Sequence, residues 1–400
     1  MSTDRSAPLL PRVLTAIGAV IAAAAVPAAE WQLLPSVDLA YYRDGNVNVV
    51  SQDNASDEVV RVGATIDWTV RKPGTDFQLV YAPYHETYLD LSDLDYTAHQ
   101  LSLGVSHEAS RRSNFRLDLN GWLTQRQAIQ TLVPGSPVTL VPRSEQLNLY
   151  LELAGRVGVG RRSFFDWGAD GSSNDFRVAA AGGTPPQDSQ SAGASVGWGV
   201  ELNPSSDLGV RVRARRLSFD VDPTTDTAAF ELFFGHEFSR EVSFSASLGA
   251  GRSSTGSFES TDPVYEATVT RTYRSGSALE GGVRQDVSNY SGVGTATLDR
   301  GAWFAVRPQT RSERFSTNVT LYYWRREAVD AAASSLDVET FEGIASLAWS
   351  PKGGVFALGG FYSYHDQNDL SGTGTGVDTS YGSGGFFFRW SFRGAQGVRS

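Results

Sequence analysis

The feature that most constrains this chain is a regular alternation of apolar and polar residues, repeated along most of its length. In residues 59–68, VVRVGATIDW, apolar side chains occupy every second position from Val60 to Trp68. Successive side chains of a strand point to opposite faces, so the pattern predicts a β-strand with one apolar and one polar face. The pattern recurs down the chain, and no amphipathic helix interrupts it.

The lengths and spacing of these segments predict the fold class. The segments run to about 11–14 residues, longer than the mode of about 5–6 in soluble proteins, and this length suits a tilted crossing of a bilayer. Short turns such as 72–75 and 203–207 take turns with longer polar loops, as in outer-membrane barrels. We therefore predict an all-β fold, a transmembrane antiparallel up-and-down β-barrel of about 18 strands, or about 16 if the weak segments 161–168 and 264–274 are not strands.

A soluble fold of two packed sheets would also show alternation, because it buries one face of each strand. The strand lengths and the aromatic residues near strand ends, such as Trp68, Tyr88 and Trp390, favour the membrane barrel. In lipid only a closed barrel pairs every backbone group of a strand. We expect the protein in the outer membrane of a Gram-negative bacterium, with outer-membrane lipid as a partner.

The N-terminus predicts export from the cytoplasm. Arg5 and Arg12 precede an apolar run, residues 13–26, which ends in the small-residue stretch VPAAE. This is the pattern of a cleaved signal peptide, and we expect cleavage after Ala28. The predicted organisation is a signal peptide (1–28), an outer-membrane β-barrel (29–393) and a short C-terminal tail (394–400). The chain contains no cysteine, so no disulfide stabilises it.

Charge excludes one class of partner. The net charge is −10, so nucleic acid is not expected to bind. Runs of acidic residues at 51–58, 90–95 and 220–226 are interpreted as solvated loops.

The last predicted strand carries an assembly signal. The segment SGGFFFRWSF, residues 383–392, resembles the C-terminal β-signal that the barrel assembly machinery reads, so that machinery is an expected partner. The resemblance rests on Ser383, Gly385, Phe388, Trp390 and Phe392. The signal usually ends a protein, whereas this chain continues for eight residues, RGAQGVRS.

Candidate catalytic groups are few. His365 and Asp366, with Asp369 nearby, are placed like the His and Asp of omptin-type barrel proteases, but a solvated loop explains them better. The segment GASVG, residues 193–197, matches a hydrolase elbow, yet it lies within an alternating strand and lacks the strand, turn and helix that an elbow requires. We predict no enzyme, no cofactor and no metal site.

The polar face of the strands is expected to line the lumen, since a barrel of this size is too wide to be filled by its own side chains. Arg211, Arg213 and Arg215 form a ladder that could attract anionic solutes or pair with inward acids and hold the wall in shape. Segments 125–143 and 169–190 are the candidates for loops that fold inward. The lumen-lining candidates are Arg61, Asp67, Arg116, Asp118, Glu152, Arg211, Arg213, Arg215, Glu231, Arg284, Trp324, Arg326 and Arg389.

Three segments carry a more particular resemblance: YYRDGNVNVV (41–50), SDEVVRVGATIDW (56–68) and YLDLSDLDYTAHQLSLGVSHEASRRSNFRLDLN (88–120). They resemble the outer-membrane β-barrel family associated with exosortase (PEP-CTERM) and exopolysaccharide loci. The resemblance implies a barrel that exports or assembles polysaccharide together with periplasmic export components.

The first functional hypothesis from the sequence is therefore a channel for export or assembly of exopolysaccharide. The alternative is a general porin or a porin for small solutes in the same membrane. A third hypothesis is a structural or adhesive surface barrel.

Overall fold

In a computed structural model the chain is almost entirely β-strand. The structure describes residues 30–45, 56–110, 112–124, 145–176, 188–220, 223–256, 258–289, 296–308, 314–329, 336–351, 355–370, 379–392 and 395–398. The predicted signal peptide, segment 125–143 and residues 177–187 lie outside these ranges. A short 3-10 helix, Ser92–Leu94, is the one helical element among the described residues, and no helix in that part of the chain is long and apolar enough to cross a membrane.

The strands are β1 (Glu30–Asp44), β2 (Asp57–Lys72), β3 (Thr75–Tyr88), β4 (Tyr96–Ser110), β5 (Ser113–Thr124), β6 (Gln146–Gly158), β7 (Ser163–Phe176), β8 (Ser189–Asn203), β9 (Ser206–Phe219), β10 (Thr225–Glu237), β11 (Val242–Thr255), β12 (Phe258–Thr272), β13 (Ala278–Asn289), β14 (Ala296–Arg307), β15 (Phe315–Ala328), β16 (Asp337–Trp349), β17 (Phe356–Asp369), β18 (Thr379–Ser391) and β19 (Ala395–Val398).

These strands form one closed antiparallel sheet. Each strand from β1 to β18 pairs with its neighbours in sequence, and β18 pairs with β1 to close the ring. The four-residue strand β19 continues past β18 along the same edge of β1, where Ala395 lies opposite Leu33. The circumference of the barrel therefore consists of 18 strands, with β19 as a continuation of β18, and the predicted fold class is confirmed. Part of the segment predicted as a C-terminal tail, residues 395–398, pairs within the sheet.

The two segments predicted as weak are full strands. β12 spans Phe258–Thr272, and β7 spans Ser163–Phe176, so residues 169–176 of the predicted loop 169–190 are strand. The second half of β7 lacks the apolar alternation because its outward residues are small or polar, from Ala169 to Asp175. Pairing with β6 and β8 holds this half in the sheet despite its composition.

From β1 to β10 the connections alternate between short and long, whereas β11 and β12 are joined on the long-loop end by residues 256–257 alone. Pro73 and Gly74 connect β2 to β3, and Gly74 has a φ of 72°, a conformation that glycine adopts at no steric cost. Two other short connections follow small irregularities in pairing, at Glu108/Ser110 and at Glu201/Asn203. Outer-membrane barrels keep short turns in the periplasm and long loops outside, which orients the barrel.

The outer face of the barrel is apolar. Ile66 of the opening pattern is 47% exposed, whereas a soluble core would bury it. Large apolar residues are likewise exposed on strands all around the ring, among them Leu39, Phe115, Leu151, Val196, Val212, Leu232, Leu248, Phe304, Leu321, Leu347, Leu358 and Phe386. An apolar outer face on a closed barrel fits lipid and does not fit water. The protein is an outer-membrane β-barrel.

Candidate pore lining

Side chains that face the interior are buried to different degrees in the two halves of the barrel. Toward the short-turn end they are exposed: the side chains of Arg116 and Arg307 are 71% and 52% exposed. Toward the long-loop end, charged inward residues are nearly fully buried, namely Glu231, Asp286, Asp299, Arg326 and Glu342, at 2%, 7%, 6%, 1% and 3% exposure. The interior is therefore more open toward the periplasm and more crowded toward the outside.

The arginine ladder of β9 is held by carboxylates. Glu231 of β10 lies opposite Arg211 in the sheet, and its carboxylate is 2.7 Å from Arg211 Nη2 and 2.9 Å from Arg213 Nη2. Arg211 also stands over the ring of Phe233, with 5.9 Å from its Cζ to the ring centroid. One buried carboxylate therefore binds two of the three ladder arginines.

The rest of the ladder is paired across greater distances. Arg213 donates two hydrogen bonds to Asp286 of β13, at 2.8 and 3.0 Å, and Arg284 donates a third to the same carboxylate at 3.0 Å. Arg215 is 3.0 Å from Asp170 of β7. Each ladder arginine thus has an acidic partner, which favours the ion-pairing interpretation of the ladder over a free positive stripe.

A second buried polar cluster lies on β14 to β17. Arg326 Nε is 3.7 Å from Asp299 Oδ1. Trp324 is 2% exposed on the same face of β15, and its register partner on β16 is Thr340. Glu342 lies opposite His365 of β17. These side chains fill the interior on this side of the barrel.

Aromatic residues lie in the interior near the seam, the place where β18 pairs with β1. Tyr42 packs edge-on against Phe361 with ring centroids 5.7 Å apart, and Tyr84 packs edge-on against Tyr96 at 6.2 Å. Arg61 stands over Tyr84, with 5.5 Å from its Cζ to the ring centroid. This predicted lining residue thus contacts an aromatic cluster on the long-loop half.

The loop between β3 and β4 folds onto this cluster. Leu91 and Leu94 pack against its buried residues, and the backbone N–H of Leu91 donates to Asp57 at 2.9 Å. The N–H of Tyr88 donates to Asp95 at 2.8 Å. The acidic run 90–95 is predicted to be a solvated loop; Asp90 and Asp93 are exposed, and Asp95 in addition binds the backbone at the end of β3.

The remaining candidates lie on inward faces with local partners. Asp67 accepts hydrogen bonds from Gln78 Nε2 at 3.1 and 3.2 Å, and Tyr150 donates to Glu152 at 2.9 Å. Arg116 pairs with Asp118 on the same strand. Arg389 of β18 is exposed and lies opposite Asp38 of β1.

The residues of the predicted assembly signal lie at the seam between β18 and β1. Ser383 and Gly385 face inward, opposite Asp44 and Tyr42 of β1. On the outer face the rings of Phe388 and Trp390 are 6.2 Å apart, edge to face. A further residue of the signal, Phe392, is 49% exposed, and its backbone N–H donates to Pro35 O at 2.9 Å.

The residues of the two candidate catalytic motifs lie within strands. His365 is buried, and its ring lies near that of Tyr381, with centroids 5.6 Å apart and planes tilted by 32°. Asp366 is the next residue of the same strand, so its side chain points to the opposite face. Ser195 lies within β8 opposite Arg213, with strand on both sides.

Sequence reasoning missed several interior residues. Asp170, the partner of Arg215, fell within the segment predicted as a loop. Arg156 was also missed: its guanidinium is 2.7 Å from Asp166 and 3.2 Å from Asp207, and it covers the ring of Phe164 with 3.7 Å from Cζ to the centroid. The alternation of β6 could have placed Arg156 inward, but Asp166 lies in the strand that was predicted to be weak.

Comparisons with known proteins give only distant likenesses. No family model matches the chain, and no curated protein matches it. Among solved structures, Pseudomonas aeruginosa OccK2 (OpdF) is 12% identical with a TM-score of 0.47, over 92% of this chain and 98% of that one. Acinetobacter baumannii OccAB2 is 12% identical with a TM-score of 0.46, over 91% and 98%. A BenF-like porin from Pseudomonas fluorescens Pf-5 is 9% identical with a TM-score of 0.45, over 90% and 98%. These likenesses are too distant to carry an argument, so fold and function rest on the residues themselves.

Proposed function

We propose that the protein is a channel for small polar solutes. The observation that carries this proposal is the burial of inward charged side chains in the outer half of the barrel, namely Glu231, Asp286, Asp299, Arg326 and Glu342. A hydrated polysaccharide needs a wide, continuous lumen, whereas a small solute can pass a narrow polar one. Burial of the lining therefore favours the small-solute porin, the sequence's second hypothesis, over its first, polymer export.

Charge compensation supports weak ion selectivity. Four guanidinium groups of the ladder region, on Arg211, Arg213, Arg215 and Arg284, contact three carboxylates, on Glu231, Asp286 and Asp170. Paired charges of opposite sign cancel beyond their immediate surroundings, so only the field of one excess positive charge remains to select one sign of ion. We expect the size and polarity of a solute to decide its passage more than its charge does.

The test combines two measurements. Purified protein in planar bilayers should give stable single-channel conductance, and proteoliposomes should swell in small sugars and amino acids but not in large oligosaccharides. A deletion strain should secrete a normal yield of exopolysaccharide. Absence of conductance, together with loss of secreted polymer, would overturn the proposal in favour of export.

A further inference from the structure

β12 and β13 remain paired over only part of their length. The last pair toward the long-loop end is Tyr265 with Gln285. Both strands continue beyond this pair, β12 to Phe258 and β13 to Asn289, and each keeps its other neighbour. The wall of the barrel is therefore split between β12 and β13 in its outer half.

Pro263 accounts for the position of the split. Its carbonyl oxygen faces β13, because Gln285 Nε2 donates to it at 2.6 Å. In an antiparallel ladder the N–H and C=O of one residue point to the same neighbour, so the ladder here would need an amide hydrogen that proline lacks. The side chain of Gln285 makes the contact that the backbone cannot make.

Beyond the split, β13 and β14 turn into the barrel. Alternation assigns Val283 and Val287 of β13, and Phe304 and Leu298 of β14, to the outer face. Val283 and Phe304 are 44% and 41% exposed, whereas Val287 and Leu298 are 5% and 6% exposed. Val287 and Leu298 pack in one cluster with Leu217, an inward residue of β9. In this segment, the residues that would face lipid in a regular barrel therefore lie against the inner face of β9.

Two further observations place the segment within the interior. Val287 lines a small cavity together with Ala229, Gly251 and Val264, which face inward from β10, β11 and β12. Cα atoms of β13 also come within 8 Å of Cα atoms of β8, although four strands separate the two in the sheet. The segment thus closes off the sector of the interior that β9 to β12 enclose.

One ion pair fastens the segment in this position. Asp286 receives both hydrogen bonds from Arg213 of β9, and no backbone ladder joins these two strands. Arg213 is itself fixed by Glu231 at 2.9 Å. Bidentate pairing of a guanidinium with a carboxylate is among the stronger polar contacts in proteins, and here it joins two strands that three others separate in the sheet.

We infer that Arg213 and Asp286 determine the size limit of the channel by holding the outer part of β13 across the lumen. This inference rests on the proposed function as a small-solute channel. Past the split, the lumen is bounded by β13 to β18 and β1 to β8, which are 14 of the 18 strands. If the pair is broken, the segment is free to return toward the wall and the narrow part widens.

Two variants test the inference. Asp286→Asn removes the charge with little change in shape, and Arg213→Gln removes the donor while Arg211 still pairs with Glu231. The matched control is Arg216→Gln on the same strand, which breaks a solvent-exposed pair with Asp226 on the outer face. Heat-modifiable migration in gels reports whether each variant folds. If neither Asp286→Asn nor Arg213→Gln folds, Arg213→Lys replaces them, because lysine keeps the charge but cannot make the bidentate contact.

Conductance and labelling give independent readouts. Barrel diameter grows roughly linearly with strand number, and conductance scales with the cross-sectional area of the lumen. A change from 14 to 18 bounding strands should therefore raise the conductance by up to about 1.6-fold in Asp286→Asn and Arg213→Gln. The conductance of Arg216→Gln should stay unchanged. The chain has no cysteine, so a single Val264→Cys, at a buried inward position of β12 that the segment covers, can be followed alone. Its reaction with a water-soluble maleimide should be several-fold faster in the Asp286→Asn background than in the Arg216→Gln background.

The outcomes separate the inference from the proposed function. Folded variants with wild-type conductance and wild-type labelling of the Cys at position 264 overturn the inference and leave the channel intact. A wild-type protein that does not conduct overturns the proposed function, and the labelling rates then still decide whether Arg213 and Asp286 hold the segment.

Discussion

Ser383 Oγ donates a hydrogen bond to Asp44 Oδ1 at 3.3 Å and so joins the last full strand to the first inside the barrel. Both side chains are buried, at 6% and 0% exposure. The contact lies in the register that closes the ring, two residues from Gly385 opposite Tyr42. The predicted assembly signal and the closing seam therefore share the same residues.

The first prediction concerns the fit at this seam. A Cβ at Gly385 would lie 2.1 Å from Tyr41 O and 2.3 Å from Tyr42 Cβ, so a side chain cannot enter without moving the backbone of β1. We expect Gly385→Ala to lower the free energy of unfolding by about 1–3 kcal/mol or to prevent closure. Urea unfolding in lipid vesicles measures the loss. In the control, Gly104→Ala, the new Cβ meets nothing closer than 3.6 Å, and equal loss in both variants would contradict the assignment.

The second prediction concerns the end of the chain. β19 pairs with residues 30–33 of β1, which otherwise have only β2 as a neighbour. Truncation after Phe392 should remove this pairing and lower the free energy of unfolding by about 1–4 kcal/mol, because a few backbone hydrogen bonds are lost. Truncation after Val398 keeps β19 and should behave as the full chain does in the same unfolding measurement. Equal stability of the two truncations would show that β19 contributes nothing.

Alternation along the sequence predicts which face a side chain occupies, but not where the wall leaves the cylinder. It places Arg211, Arg213 and Arg215 on one face, and the hairpin that follows brings Glu231 beside them. Asp286 reaches Arg213 only because the wall splits near Pro263, a consequence of one missing amide hydrogen rather than of periodicity.

Because alternation does not predict where the wall leaves the cylinder, it assigns two buried residues to the wrong environment. Val287 and Leu298 would face lipid in a regular barrel and are buried instead. The second half of β7 shows the opposite case, since its polar sequence carries no alternation and its strand structure comes from its neighbours. Local pattern thus predicts the regular wall, and tertiary pairing decides its irregular parts.

The third prediction tests the outer face of β2. Ile66 is 47% exposed to the membrane, and Asp67 on the opposite face binds Gln78. Ile66→Arg should cost about 2–4 kcal/mol of folding free energy, because an arginine on the lipid face near the middle of the strand loses its hydration. Ala64→Val, on the same face, should be silent. Asp67→Asn should leave the unfolding free energy unchanged, and a folding defect there would contradict the register of the strand.

The fourth prediction addresses charge at the ladder. Glu231 is 2% exposed and binds both Arg211 and Arg213, so Glu231→Gln adds one further uncompensated positive charge to the ladder. The reversal potential in a potassium chloride gradient should shift toward anion selectivity, and the free energy of unfolding should fall by about 1–3 kcal/mol, because the charged hydrogen bond from Arg211 and the ion pair with Arg213 are lost.

Asp226→Asn is the matched control for this charge, since it removes one negative charge from the outer face of the same strand, where the side chain is 56% exposed. Its reversal potential should equal that of the wild type, because a charge outside the lumen is screened by salt over a Debye length of about 8 Å. If Glu231→Gln also leaves the reversal potential unchanged, ions do not pass the ladder, and the conducting path lies on the side of the interior that β1 to β8 bound.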